Sequence, residues 1–294
     1  MAPRRYELVI RRHVEFEETR RVPIRPAGDV LDKSKPDLGQ SGAMDIVTLQ
    51  RLCARSWPGL EQERLGEWEL RAADGFTGRA NSALPLGDAG LPVPEALDRV
   101  VEWYTARGLT PRLQVPAARP GVSDGDPASG VAALCDARGW AAEPWTLVML
   151  RSAAPSATAG VQTAALRWSD EPDDAWLSLY HRAGAQLPSV ARRVITAAPA
   201  QYLSVRLDGD AVGIGRVALV EELAVLTAIE VTARERRHGL GTLITEALTA
   251  RAADDGARLT ALQVFADNAA AVRLYRRLGF RTHHQYRYRS LSDG

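Results

Sequence analysis

The hexapeptide Arg236-Arg237-His238-Gly239-Leu240-Gly241 follows an apolar stretch at residues 223–231. It opens a run in which Leu240, Leu243, Ile244, Ala247 and Leu248 recur on one helical face. The first N–H groups of a helix have no intrahelical partner and lie at the positive end of its dipole, so they can hold a diphosphate. Glycine at 239 and 241 removes Cβ atoms that would hold the anion off. The N–H groups of His238, Gly239, Leu240, Gly241 and Thr242, with the Thr242 hydroxyl, form the expected cradle, and Arg236 and Arg237 bring it positive charge. Two arginines on a loop also fit an ordinary solvated surface. Glu230 is a charge in an otherwise apolar strand beside this loop, and burial there would raise its pKa towards the range of a general base. A strand-end carboxylate paired with an arginine fits the same position. Glu221 and Glu222 are next in line, at an expected turn. Downstream come Asn268, Tyr275 and Leu278-Gly279-Phe280, where Ala271, Leu274, Tyr275 and Leu278 share a helical face on which a core tyrosine would also fit.

The elements that must position these residues are legible around them. From residue 163 the pattern reads as a strand at 165–168, helices at 173–180 and 190–195, and a hairpin of 202–207 and 211–219 about Asp208-Gly209. A strand over 223–231, a helix from Gly239, a strand at 259–265, a helix from Asn268 and a strand at 281–288 follow. Residues 1–42 are polar and punctuated by Pro and Gly, with some alternation over 6–16, and read as an extension. Residues 152–162 have linker composition. Two domains are therefore expected, at 43–151 and 163–294. The first echoes the second: Leu97, Val100, Val101 and Tyr104 form a helical face ending at Gly108 before Arg112-Leu113-Gln114-Val115. In the second half a helix ends at Gly256 before Ala261-Leu262-Gln263-Val264. Leu134-Cys135 through Gly139-Trp140 likewise lines up with Leu274-Tyr275 through Gly279-Phe280, as a tandem duplication would. The first copy has no cradle, because residues 87–94 lack basic side chains and include Pro92 and Pro94, which have no N–H. Cys135 stands where the second copy has Tyr275. The polar stretch 75–82 either lines a pocket shared with the second copy or is a tight turn held by Asn81.

Over residues 163–290, the order of basic glycine loop, strand, Asn268, Tyr275 and Leu-Gly-Phe closely resembles the Gcn5-related N-acetyltransferase (GNAT) family. The resemblance implies an α/β (α+β) fold of two tandem GNAT-like domains, each a mixed, mostly antiparallel sheet flanked by helices, with the first a degenerate copy. It implies an acyltransferase using acetyl-CoA as cosubstrate, with the pantetheine arm paired to the strand backbone at Ile229 and Val231 and with Asn268 at the cofactor. The acceptor would be a primary amine of a small molecule, an amino acid or a protein. Tyr275 matches the family's tyrosine acid. A phenol near 10 protonating a thiolate near 8.5 is uphill by about 2 kcal/mol, so Tyr275 is expected to stabilise the thiolate mainly by hydrogen bonding. Family members place a base at the positions of Val225 or Gln263, neither a carboxylate here, which leaves Glu230. Trp176, Tyr180 and His181 are expected at the acceptor wall. The missing carboxylates also fit a second reading, a non-catalytic acetyl-CoA-binding sensor or scaffold. The chain is most similar to tandem acetyltransferases of the actinobacterial type. These often carry an SH3-like module in front, for which residues 1–42 are too short.

Composition narrows the alternatives. With 37 basic and 36 acidic residues the net charge is +1, and no basic run points to nucleic acid. Cys53 and Cys135 are isolated and the five histidines form no His-Glu-x-x-His pattern, so neither a disulfide framework nor a metal site is expected. There is no apolar run long enough to span a membrane and the N-terminus is charged, which predicts a cytoplasmic protein. The oligomeric state leaves no signal.

Overall fold

Asp45 starts the first helix, α1 (Ile46–Arg55), by accepting the Thr48 N–H at 2.9 Å. The N-terminal half continues with β1 (Glu61–Leu65), β2 (Trp68–Ala72), α2 (Val93–Thr105), β3 (Arg112–Ala118), α3 (Ser129–Ala137), β4 (Ala141–Ala142) and β5 (Thr146–Ser152). The C-terminal half runs β6 (Ala165–Ser169), α4 (Asp174–Leu179), α5 (Ala191–Ile195), β7 (Gln201–Leu207), β8 (Asp210–Val220) and β9 (Leu223–Val231). It ends with α6 (Leu240–Asp254), β10 (Leu259–Phe265), α7 (Ala269–Arg277) and β11 (Arg281–Ser290). This computed structural model describes residues 44–121, 127–153, 165–180 and 186–291. The strand read over residues 6–16, most of the 152–162 linker and His181 lie outside the described residues.

Local chemistry accounts for the joints. Asp208 and Gly209 both take positive φ, 51° and 90°, and close the β7–β8 hairpin with Leu207 opposite Asp210. The helices aligned between the halves end in matching hydrogen bonds at a left-handed glycine. Past Gly108 and Gly256, Leu109 N–H donates to Tyr104 O (3.0 Å) and Ala257 N–H to Ala252 O (2.8 Å). Past Gly139 and Gly279, Trp140 N–H donates to Cys135 O (2.9 Å) and Phe280 N–H to Tyr275 O (3.0 Å).

One nine-stranded sheet crosses both halves, in the order β3-β11-β5-β10-β9-β8-β7-β6 with β4 on β11. Of these neighbours only β9 and β10 run parallel. β5 precedes the linker in the chain, yet it lies between β10 and β11 and is antiparallel to both. Its Leu147, Val148 and Met149 are buried on both faces, as a central strand requires, each contributing about 1.5–3 kcal/mol. Arg151 fixes its end: Nη1 and Nη2 bond the two carboxylate oxygens of Glu246 on α6 at 2.8 and 3.0 Å, and Nη1 also donates to Leu278 O beyond α7.

Helices cover both faces of the sheet. On one, α6 lies close against β8 because Gly213 and Gly215 carry no side chain. A Cβ at 213 would sit 2.8 Å from Ile244 Cδ1, and one at 215 would sit 2.7 Å from Leu248 Cδ1. On the other, α1 sets Leu49, Leu52 and Cys53 on Val148, Val225 and Ala261, while Trp176 and Tyr180 pack with Ile214 and Ala218. The N-terminal half thus supplies a helix to the C-terminal half's sheet. A separate core, with Trp68, Leu97, Val100, Tyr104, Leu113, Cys135 and Trp140, lies among β2, β3, α2 and α3. Among the described residues no helix is long and apolar enough to cross a membrane.

His284 on β11 is fully buried, 3.1 Å from Gln50 Oε1 and 2.9 Å from the His283 ring, and burial, with the His283 charge adding, holds its pKa at about 3. The unfolded chain takes up this proton near pH 6.5 and the folded chain does not. The contribution is therefore intact above pH 6.5 and falls by about 1.4 kcal/mol per unit as pH drops towards 3. Urea unfolding at pH 6.5 and 5.0 is expected to show His284→Gln losing about 2 kcal/mol less than the parent. In the same assay at pH 7.5, Arg151→Ala is expected to cost about 2–4 kcal/mol, because it removes the two-oxygen ion pair of a mostly buried Glu246 carboxylate and the donor to the Leu278 carbonyl.

Candidate active site

The site begins where two parallel strands part. β9 and β10 pair from Leu223↔Leu259 to Leu226↔Leu262 and no further, although β9 runs on to Val231 and β10 to Phe265. A bulge in β9 drives the separation: Thr227 faces Arg216 and Glu230 faces Ile214, so Ala228 and Ile229 together oppose Gly215. Ala228 takes φ 54°, a left-handed conformation that a side chain with Cβ adopts at a cost of about 1–2 kcal/mol. From Thr227 to Val231, β9 thus keeps one edge of its main chain available to an extended ligand. Ile229 and Val231 lie on this length, half-buried, as does Glu230.

The chain then turns through a 3-10 segment, Ala233–Glu235, into the basic loop. Arg237 has φ 66°, and Gly239 caps α6 at φ 86° with no side chain bonded to the helix start. Leu243 N–H closes the first turn onto Gly239 O at 3.0 Å, which leaves the N–H groups before it facing outward. Arg236, Arg237, His238 and Gly239 are exposed, Leu240 is buried as an anchor, and Gly241 and Thr242 are half-buried. Gly241 is constrained from the other side as well, since a Cβ there would lie 3.1 Å from Leu274 Cδ2 on α7. Arg236 Nε donates to Val231 O at 3.3 Å, tying the loop to the end of β9. Glu235 lies 3.3 Å from His238, while among the described residues neither Arg236 nor Arg237 has a carboxylate partner. The geometry fits a diphosphate: exposed donors, an uncapped helix start and uncompensated positive charge.

Asn268 caps α7, its Oδ1 accepting the Ala271 N–H at 3.2 Å. That cap fixes the register that carries Tyr275 inward against Phe280, with ring centroids 6.0 Å apart. Tyr275 is buried, and desolvation, with the Glu230 carboxylate adding, pushes its phenol up to about 12. The structure therefore brings Tyr275 and Glu230 into one electrostatic neighbourhood. It sends the other acids elsewhere, with Glu221 on Arg55 and Glu222 on Arg258 at the far end of β9. Trp176 and Tyr180 stack at 5.5 Å on the opposite face of the sheet. Among the described residues no group of three or more His, Cys, Asp or Glu side chains could hold a metal ion.

Both readings of residues 75–82 hold. Asn81 is satisfied within the turn: Oδ1 accepts from Ala73 and Gly75, and Nδ2 donates to the Phe76 and Thr77 carbonyls. The same turn lines a pocket of about 70 Å³ shared with β5, β10 and β11. Sequence reasoning did not single out Arg79 in that turn, Arg216 on β8 or Ala228. Arg216 carried the signal used for Glu230, a charge within an apolar strand. The φ of Ala228 left no mark in the sequence.

A family model described as the C-terminal region of the probable histone acetyltransferase Rv0428c matches residues 43–289. The chain belongs to this family. The probable histone acetyltransferase Rv0428c of Mycobacterium tuberculosis is 31% identical over 253 residues, covering 83% of this chain and 73% of the relative. An uncharacterized N-acetyltransferase of Bacillus subtilis, YobR, is 28% identical over 83% of this chain and 98% of its own length. The fold is similar to that of a GCN5-related N-acetyltransferase from Kribbella flavida, with a TM-score of 0.64 at 17% identity, covering 86% of this chain and 98% of that one. A tandem GNAT protein from the clavulanic acid biosynthesis pathway matches with a TM-score of 0.54 at 20% identity, over 68% of this chain and 70% of its own. As a GNAT-family member the chain is an acetyltransferase-type acyltransferase, with the mixed, mostly antiparallel sheet flanked by helices expected from its sequence.

If the bulge sets the split, position 228 is sensitive to side-chain shape. Ala228→Gly is expected to hold or raise stability by about 1 kcal/mol, whereas Ala228→Val, β-branched at positive φ, should lower it by about 1–3 kcal/mol in chemical denaturation.

Proposed function

We propose that this protein transfers the acetyl group of acetyl-CoA to a primary amine, with the thioester lying in the β9–β10 split. The observation that carries the reading is the junction of two features: a length of β9 unpaired to β10, and an uncapped helix start with two uncompensated arginines, with Tyr275 in the field of the Glu230 carboxylate. The pyrophosphate would sit on the N–H groups of residues 238–242, with Arg236 and Arg237 beside it and Asn268 flanking the same groove. The pantetheine amides would pair with the main chain at Ile229 and Val231.

In this reading the neutral amine attacks the thioester carbonyl carbon, the C–S bond breaks, an amide forms and the coenzyme A thiolate takes up a proton. Glu230 would accept the proton shed by the amine, directly or through water. A phenol held near 12 is a poor acid towards a thiolate near 8.5, the transfer being uphill by about 5 kcal/mol in the absence of other effects. That supports Tyr275 as a neutral hydrogen-bond donor which stabilises the departing sulfur. The N-terminal half reads as a degenerate copy. Its α2 starts at Pro92 and Pro94 with no side-chain cap, and burial pushes the Cys135 thiol, at the Tyr275 position, up to about 11.

The test is thiol release from acetyl-CoA across a panel of amines, alongside calorimetric binding of coenzyme A. Amine-dependent release is the expected result; tight binding with no release for any amine would sink the reading. Tyr275→Phe should lower kcat at least tenfold while leaving the KM for acetyl-CoA within about threefold, and undiminished turnover would remove its assigned role.

A further inference from the structure

The pocket beside the split has a charge imbalance that the acetyl donor does not use. Thr77, Gly78 and Arg79 of the N-terminal half line it with Gln263, Phe265 and Tyr286. Gln263 is the first residue of β10 past its last pair with β9, so the pocket opens next to the split. It lies on the sheet face away from α6 and α7, since Gln263 is opposite Val148, which packs with Tyr286 under α1. The turn is held hard against this face: a Cβ on Gly78 would come within 2.8 Å of the Tyr288 ring, and Trp57 Nε1 donates to Thr77 Oγ1 at 3.1 Å.

Among the described residues no carboxylate lines the pocket. The Arg79 guanidinium lies 4.8 Å over Trp57, its Nε is buried with no hydrogen-bond partner, and among the described residues it has no acidic partner. Arg216 lies at the same indole, 4.9 Å from its centroid. It is wholly buried and held by neutral groups alone, the carbonyls of Ser56 (3.1 Å) and Ala198 (3.2 Å) and the Thr227 hydroxyl (3.5 Å). Burial, with Arg79 adding, lowers the Arg216 pKa from its usual value, as expected of a cation facing another without an intervening anion. Two guanidiniums behind low-dielectric walls create a positive potential that concentrates an anion. A planar carboxylate suits a guanidinium fork. About 70 Å³ is room for several waters, hence for a carboxylate and a short stretch of carbon chain.

We propose that the acceptor is a small amine bearing a carboxylate, and that Arg79 of the N-terminal half is the residue that receives it. This rests on the reading of the split as the thioester site. Selectivity for the amine would then come from the half of the chain that has lost the cradle.

The experiment compares β-alanine, 4-aminobutanoate, 5-aminopentanoate and several α-amino acids, each with its carboxamide, in the parent and in Arg79→Gln and Arg79→Lys. Folding of each variant is checked by circular dichroism and by binding of coenzyme A. At least one acid should exceed its amide tenfold or more in kcat/KM. Arg79→Gln should abolish that preference by raising KM for the acid at least tenfold, with kcat within threefold, and Arg79→Lys should retain part of it. Equal use of acids and amides by the parent, or an unchanged acid KM in Arg79→Gln, overturns the proposal. Calorimetry of acids and amides on coenzyme A-saturated protein provides an independent readout. If nothing is acetylated, the transfer reading fails, while tenfold tighter acid binding that Arg79→Gln removes still upholds the Arg79 site and equal or absent binding overturns it.

Discussion

The structure turns on the insertion of β5 between β10 and β11. Without it, β10 and β11 would each present an open edge where the C-terminal half most needs a rigid floor, and β10 would have only its four pairs with β9. With it, β10 is paired along its whole length on one side, to Phe265↔Thr146, and can leave β9 on the other without fraying. The Arg151–Glu246 bridge, with both side chains under 15% exposed, couples that strand to the helix that opens at Gly239. The split is thus an opening in an otherwise continuous sheet, held at a fixed width by a strand from the other half.

The same arrangement explains why both halves meet at the candidate site. The cradle, the bulge and Tyr275 all lie within the C-terminal half, whereas the opposite face is covered by α1 and by the turn at 75–82 from the N-terminal half. Strain follows this division. Ala228 and Arg237 hold positive φ between the split and α6, and Asp74 and Thr77 hold it beside the pocket. Two of the four are fixed by contacts, Thr77 by Asn81 and Trp57 and Ala228 by the register on either side of the bulge.

How much of this was legible in the sequence depended on range. The β7–β8 hairpin, the glycine stops after α2 and α6, and the helix start at Gly239 all came through, because each is decided by a few adjacent residues whose backbone preferences are strong. The position of β5 did not. Its run Thr-Leu-Val-Met-Leu indicates a strand buried on both faces, but not which strands flank it, and those come more than a hundred residues later. The conformation of Ala228 belongs to the bulge opposite Gly215, which is set across the ladder and which no local preference announces. Arg79 lay in plain view within a polar turn; only the missing counter-ion, a property of the folded surroundings, distinguishes it from a surface arginine.

The strand order has a further consequence for how the molecule comes to be folded. During synthesis β5 emerges well before β10 and β11, so an apolar strand must wait, with both edges unsatisfied, until more than a hundred further residues are made. Such pairing closes a long loop before any contact compensates it, which makes folding slow and leaves the waiting strand open to aggregation. The N-terminal half can close only the two-stranded β1–β2 sheet by itself, because its β3 also takes its partner from β11. A truncated chain would therefore be left with a sticky central strand rather than a smaller folded domain.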